Sequence, residues 1–168
     1  MHVRLAEPSD AESLRRIYNE EVVGSTATFD LRPRTPEEQA VWMSEHQGTY
    51  PVVVAVEEGG LVVGFGSLST YRDRPSYATT VENSVYVHPD HWGRGVGTLL
   101  LAALMQAART AGHHVVVARI VGDNEASIKL HARFGFSVVG SLHEVGWKFH
   151  RWHDVLIMEA VLPEDEQA

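Results

Sequence analysis

Apolar residues recur along this chain in two rhythms, and the changes of rhythm mark its elements. Val3-Arg-Leu-Ala6 reads as a short first strand. Ser9-Asp-Ala-Glu12, after Pro8, has the form of a capping box, and Leu14, Ile17 and Tyr18 continue it as a helical stripe. A second box, Thr35-Pro-Glu-Glu38, with Pro36 at the first helical position, starts a helix through Trp42 and Met43. Between these helices, Gly24 to Arg34 reads as a loop carrying Phe29. Pro51–Val56, Glu57–Gly60 and Leu61–Leu68 form a strand, turn and strand, the pattern of a β-hairpin.

Beyond a polar, arginine-bearing loop at Tyr71–Tyr77, strand character returns over Thr79–Val87. Val96–Ala111 places Val96, Leu100, Leu104 and Ala107 at helical spacing, with Gly112 as the stop. His114–Val121 is a β-branched run. Asn124–Phe134 reads as a helix capped by Gly135, followed by a strand over Phe136–Gly140. A final strand is expected over Asp154–Leu162, with one domain spanning residues 1–163 and an acidic tail at 164–168. Hairpins combined with strand–helix–strand crossovers predict an α/β (α+β) fold, with a central mixed sheet covered by helices on both faces. The unit running from Val85–Val87 through the glycine turn and helix to Val115–Val117 should be a right-handed crossover between parallel strands.

Composition narrows the function classes. The 168 residues are 44% hydrophobic and 21% charged, an ordinary globular balance. A formal net charge of −8 argues against a broad nucleic-acid-binding face, in spite of the aromatic-basic stretch Trp147–Trp152. No apolar run approaches the ~20 residues of a membrane helix, and the first residues lack the apolar core of a signal peptide. A cytoplasmic location is therefore expected. The chain has no cysteine, which excludes disulfides, thiolate metal sites and any acyl-cysteine intermediate. Ten histidines raise the question of a metal. His113 and His114 would point to opposite strand faces, and His150-x-x-His153 lies in a turn-like aromatic stretch without paired carboxylates, so no metal is expected.

The densest chemical signal is Tyr86-Val-His-Pro-Asp-His-Trp-Gly-Arg-Gly-Val-Gly-Thr98. Gly93, Gly95 and Gly97 let the backbone press its N–H groups against a ligand, and a helix beginning there would be an anion site suited to a pyrophosphate. The dinucleotide fingerprint fails because Thr98 stands where glycine is required, and the nucleoside triphosphate loop lacks its lysine. Glu82 is an ionisable residue inside a strand pattern; burial there would push its carboxyl upward and suit it to proton transfer. His131 can give or take a proton near neutrality.

Several of these segments together resemble the GCN5-related N-acetyltransferase superfamily. Trp92-x-x-Gly95-x-Gly97 is similar to its phosphate loop, with Trp92 in place of the usual basic or amide residue, and Asp123–Phe136 is similar to its second coenzyme A segment. Within the superfamily, Arg4–Pro8, Tyr18-Asn19, Thr35–Glu38, Thr80–Val87, Leu130-His131 and Glu144–Asp154 resemble the phosphinothricin and methionine sulfoximine acetyltransferase group. The resemblance implies that group's fold, with a mostly antiparallel sheet, and acetyl-CoA as cosubstrate. It implies a pantetheine arm on the main chain of Val85, Tyr86 and Val87, with an oxyanion donor at the Val87 N–H. Gly93, Arg94, Gly95, Val96, Gly97 and Thr98 would hold the pyrophosphate, and Asn124 would touch the cofactor. Glu82 and His131 become alternative or cooperating proton carriers. Arg72 and Arg74 are candidate forks for an amino-acid acceptor, with Phe29 and Tyr77 as pocket walls. A homodimer is expected. The competing acceptors are a protein N-terminus or an aminoglycoside, and the competing class is a non-catalytic acyl-CoA sensor.

Overall fold

The computed structural model describes residues 1–163. The acidic tail expected at 164–168 lies outside the described residues. The strands are β1 (His2–Leu5), β2 (Val52–Val56), β3 (Val62–Thr70), β4 (Thr80–Val87), β5 (Val115–Val121), β6 (Ser137–Lys148) and β7 (Arg151–Val161). The helices are α1 (Ala11–Gly24), α2 (Pro36–Glu45), α3 (Val96–Thr110) and α4 (Glu125–Ala132). The seven strands form one sheet in the order β1-β2-β3-β4-β5-β7-β6. Every neighbouring pair is antiparallel except β4 with β5, the pair bridged by α3. The mixed sheet and its parallel crossover agree with the sequence reading.

Strand alternation divides the core between the two faces. Val52, Val54 and Val56 pack with Phe65 against Leu14, Ile17 and Val22 of α1. Val53, Ala55, Val81 and Val116 pack against Leu100, Leu101, Leu104 and Met105 of α3. All five residues of β2 are therefore buried. On the α3 side the last apolar helix position is Ala108, one residue beyond the expected Ala107. Helix α3 sits close to the sheet because β3 carries glycine beneath it. A Cβ on Gly66 would lie 2.8 Å from Leu104 Cδ1, and one on Gly64 would lie 2.9 Å from the Tyr86 carbonyl oxygen.

Two local expectations are corrected. The expected Ser9–Glu12 box does not cap α1. A short 3-10 turn at Pro8–Asp10 comes first, and Asp10 takes the Glu7 N–H at 2.7 Å while pairing with Arg4 at 2.6 Å. Glu12 pairs with Arg15 instead. The Thr35–Glu38 box forms as expected, with reciprocal bonds of 3.2 and 2.8 Å. The second correction is larger: the strand expected to end at Gly140 runs on to Lys148, and the stretch read as turn-like at His150–His153 is mostly the start of β7 in a long β6–β7 hairpin. Its tip is Phe149-His150, both in the left-handed region at φ 51° and 58°. Such a tight turn is usually signalled by Asn-Gly or Asp-Gly, and neither stands here. Glu144, at φ 52°, sits where the register shifts, and Asp154 takes its N–H at 2.8 Å.

Candidate active site

The site lies where the sheet opens. Pairing of β4 with β5 runs from Thr80/Val115 to Glu82/Val117 and stops, although β4 continues to Val87 and β5 to Val121. On its other edge β4 stays paired with β3 as far as Val87/Gly64, and the His88 N–H continues that ladder to the Val63 carbonyl. Antiparallel alternation then turns the main-chain groups of Glu82, Ser84 and Tyr86 toward β3, and those of Asn83, Val85 and Val87 into the opening. Side chains alternate too. Glu82, Ser84 and Tyr86 face the α1 side, whereas Asn83, Val85 and Val87 face α3 and α4.

Two cavities meet at this opening. One, of about 680 Å³, is lined by Val85–Val87, Trp92, Gly93, Gly95–Thr98, Asn124 and Arg133. Gly93 and Gly95 adopt φ 74° and 81°, which only glycine takes without strain, and α3 begins directly after Gly95. The first helical bond is Leu99 N–H to Gly95 O, so the N–H groups of Val96, Gly97 and Thr98 have no helical acceptor. Unpaired N–H groups and the positive helix end together favour an anion. Gly97 plays a different part from its neighbours: a Cβ there would meet Leu130 of α4 at 3.1 Å, so its small size brings the two helices together.

The side chains around this loop divide unevenly. Val96 is buried in the core and contributes only main chain. Arg94 does not line the cavity; its exposed guanidinium lies 3.7 Å from Glu57. Asn124 accepts the Ser127 N–H at 3.1 Å as the cap of α4, which leaves its amide N–H groups for a ligand. Trp92 donates from its indole nitrogen to the Val87 carbonyl at 2.8 Å, a contact the motif did not foretell.

The second cavity, of about 560 Å³, is lined by Phe29, Glu82, Asn83, Arg119, His131, Leu142 and Val145 among others. The cavities share Thr26, Ala27, Val85, Tyr86, Asn124 and Ser127. Glu82, expected to be buried, is partly exposed and paired: Arg119 Nε donates to its carboxylate at 2.8 Å. The partner comes from β5, two positions beyond the last pairing with β4. His131 is only 4% exposed, with Nδ1 2.8 Å from the Ser127 carbonyl and Nε2 2.9 Å from Asn83 Nδ2. Burial pushes its imidazole below the ordinary value. Since neighbouring strand residues face opposite ways, Glu82 and His131 reach the cavity from opposite sides of β4. Tyr86 packs edge-on to Tyr18 at 5.3 Å, and burial pushes its phenol up.

Phe29 stands in the cavity wall as expected, held by the β6–β7 hairpin. A Cβ on Gly146 would overlap its ring, and Lys148 Nζ donates to the Thr28 carbonyl at 2.8 Å. Arg72, Arg74 and Tyr77 line neither cavity. They sit in the exposed β3–β4 connection, where Arg72 lies over Tyr71 and Tyr71 packs against Tyr77. A polar loop carries no sequence signal for the direction it faces. Sequence reasoning missed Arg119, Asn83 and Ser127. A lone arginine inside the β-branched run Val115–Val121 could have pointed to the first; nothing in the sequence joins Asn83 to a histidine 48 residues on. Among the described residues no cluster of His, Asp and Glu could hold a metal ion.

These features have close counterparts in known proteins. A phosphinothricin N-acetyltransferase from Streptomyces coelicolor is 43% identical, covering 96% of both chains. An L-methionine sulfoximine/L-methionine sulfone acetyltransferase from Salmonella typhimurium is 40% identical over 98% of this chain and 96% of its own. A Salmonella typhimurium acetyltransferase solved with its cofactor acetyl-CoA superposes with a TM-score of 0.94 at 39% identity, covering 100% of this chain and 97% of that one. The model of the acetyltransferase (GNAT) family matches residues 11–136, and with this fold and this divided sheet the chain belongs to that family.

Proposed function

We propose that this protein transfers the acetyl group of acetyl-CoA directly to the amino group of a small amino-acid-like acceptor of the methionine sulfoximine or phosphinothricin type. The observation that carries the reading is the meeting of two cavities at the β4–β5 opening, one lined by the Gly93–Thr98 turn at the start of α3 and one lined by Glu82 and His131. The names of the relatives support the acceptor class.

The residues present fit acetyl-CoA. The N–H groups of Val96, Gly97 and Thr98 would take the pyrophosphate, and Arg133 and Lys129 line the same cavity. The main chain of Val85 and Val87 would take the pantetheine arm as an added strand. When bound, acetyl-CoA supplies an activated acyl group as a thioester. Attack by the acceptor forms a C–N bond and breaks the C–S bond. One proton leaves the nitrogen, and one must reach the departing sulfur. Glu82, on the acceptor side of the opening, is the proton acceptor from the amine, and His131, across β4, is the second proton carrier. With no cysteine in the chain, no acyl-cysteine intermediate is available.

Arg119 takes the place first given to Arg72 and Arg74. Its Nε holds Glu82, while its terminal nitrogens have no hydrogen-bond partner among the described residues. Those nitrogens would bind the acceptor's carboxylate. The protein acts as a cytoplasmic homodimer in this reading. Val145, Trp147, Phe149 and Trp152 of the β6–β7 hairpin are each about half exposed, and β6 is an unpaired sheet edge. Among the described residues no helix is long and apolar enough to cross a membrane.

The test follows thiol release from acetyl-CoA with four acceptors: methionine sulfoximine, phosphinothricin, a peptide with a free N-terminus and an aminoglycoside. Release confined to the first two is expected. Release with the peptide or aminoglycoside alone would reassign the acceptor, and tight acetyl-CoA binding without turnover would make the protein a sensor. Sedimentation of the wild type and of Trp147→Glu should show a dimer and a monomer, respectively.

A further inference from the structure

His131 is held at both ring nitrogens. At Nδ1 the Ser127 carbonyl, one turn back on α4, lies at 2.8 Å and the Ser127 hydroxyl at 3.4 Å; the nearer carbonyl can only accept, so Nδ1 carries a hydrogen. A neutral ring then offers its lone pair at Nε2, and Asn83 Nδ2 donates to it at 2.9 Å. This leaves Asn83 Oδ1 buried with no partner. Such an orphan is uncommon, because a buried acceptor without a hydrogen bond costs free energy. Both side chains are nearly inaccessible, at 4% and 5% exposure.

The two ends of an amide have nearly the same shape. Turned by half a rotation, Asn83 would present Oδ1 to Nε2, which requires a hydrogen on Nε2 and hence an imidazolium. The pair therefore has two self-consistent states that differ by one proton and one amide rotation. In the neutral state Oδ1 is the unpaired end of the amide; in the charged state Oδ1 accepts from the ring and the amide nitrogen takes the unpaired position, so each state leaves one end of the amide without a partner. The surroundings do not supply a counter-charge that would hold the ring ionised. Glu82 is taken by Arg119 on the other face of β4, Glu125 by Lys129, and Asp123 by Arg151. Arg133 and Lys129 lie exposed on α4, Phe136 packs edge-on against the ring at 5.0 Å, and the packed faces of α3 and β5 are apolar.

We infer that Asn83 is a positioning residue that fixes the tautomer of His131 and gates its Nε2, which becomes available to a proton only as the amide turns. The inference rests on the proposed role of His131 as a proton carrier at this cavity. A proton taken up from solvent at Nε2 makes the ring cationic, and the turned Oδ1 accepts the hydrogen bond of the new N–H; the proton that Glu82 takes from the amine returns to solvent. When that proton passes to the departing sulfur, the ring is neutral again and Nδ2 returns to it.

The test is two-bond ¹H–¹⁵N correlation on the full chain with labelled histidine, through a pH titration, in the wild type, Asn83→Asp and Asn83→Leu. The wild type should show a neutral His131 bearing its hydrogen on Nδ1. Asn83→Asp, which offers only acceptors, should raise the titration midpoint by about one unit or more. Asn83→Leu should shift the midpoint and the acid limb of kcat while leaving the KM for acetyl-CoA in place. A wild-type ring carrying its hydrogen on Nε2 would overturn the inference, as would a midpoint that neither variant moves. The tautomer is read in the unmutated protein, so it decides the matter even where a variant fails to fold. A chain that acetylates nothing, yet shows these shifts, would sink the acetyl-transfer reading and leave the Asn83–His131 coupling standing.

Discussion

Glu82 shows how one residue can be found from sequence while its setting is not. An acid inside Thr79–Val87 stands out because strands of this kind bury one face, and the structure does place it in a cavity wall. Its partner Arg119 comes from a strand 37 residues away and brings a charge the strand pattern does not reveal. On the proposed route, Glu82→Gln should lower kcat by about 100-fold or more with acetyl-CoA affinity unchanged. Equal kcat in steady-state assays would remove Glu82 from proton transfer. A second residue-scale prediction concerns Gly146, whose lack of a side chain makes room for Phe29. Gly146→Ala should push the ring from the cavity wall, raise the acceptor's KM more than that of acetyl-CoA, and cost about 1–3 kcal/mol in denaturant unfolding. An unmoved acceptor KM would mean that Phe29 does not shape that pocket. Glycine at 146 is invisible as a packing device in sequence, since the ring it admits lies over a hundred residues earlier in the chain.

Elements with strong local signals were legible, and those held by distant contacts were not. The Thr35 box, the 51–68 hairpin and α3 announce themselves through capping residues, turn glycines and regular apolar spacing. The β6–β7 hairpin does not, because its turn residues are Phe149 and His150 and many of its exposed positions, among them Val138, Leu142, Val145 and Trp147, are apolar. With it goes much of the second cavity's apolar wall, at Leu142, Val145 and Val155. The Gly93–Thr98 turn is legible as an element, yet its glycines divide their work. Gly95 supplies a left-handed residue at the mouth of α3, with open space where a Cβ would stand. Gly95→Ala should therefore destabilise the fold by only about 1 kcal/mol. It should weaken acetyl-CoA by about tenfold, because the added methyl enters the cradle. Calorimetric titration showing an unchanged Kd would separate this loop from the diphosphate.

Across the whole molecule, the divided sheet sets the site. The opening between β4 and β5 requires a strand pair that is anchored at one end and parts at the other, with α3 and α4 packed below it. No alternation pattern encodes where such a pair parts; only the length of β4 beyond Glu82 hints at it. Helix α4 also buries His131, and His46 is half-buried at the end of α2; in both, desolvation pushes the imidazole below its ordinary value. A depressed histidine favours the fold while neutral, so this stability is complete above about pH 6.5 and falls as acid protonates the unfolded chain first. The carboxylates Asp10 and Glu38 are instead held low by arginine partners, Glu38 at about 2, and their contribution is lost only at lower pH. Denaturant unfolding over a pH series should thus weaken first as the pH falls below about 6.5. His131→Gln should flatten that step; an identical slope would remove His131 from it.

The central claim is that a thioester and an amine meet where the two strands part. A crystal structure with coenzyme A tests this most directly. The diphosphate is expected on the N–H groups of Val96, Gly97 and Thr98, with the thiol between Asn83–Val85 and Ala118–Ile120, facing the cavity that holds Glu82. A nucleotide bound away from the Gly93–Thr98 turn, or a thiol that ends outside the β4–β5 opening, would contradict it.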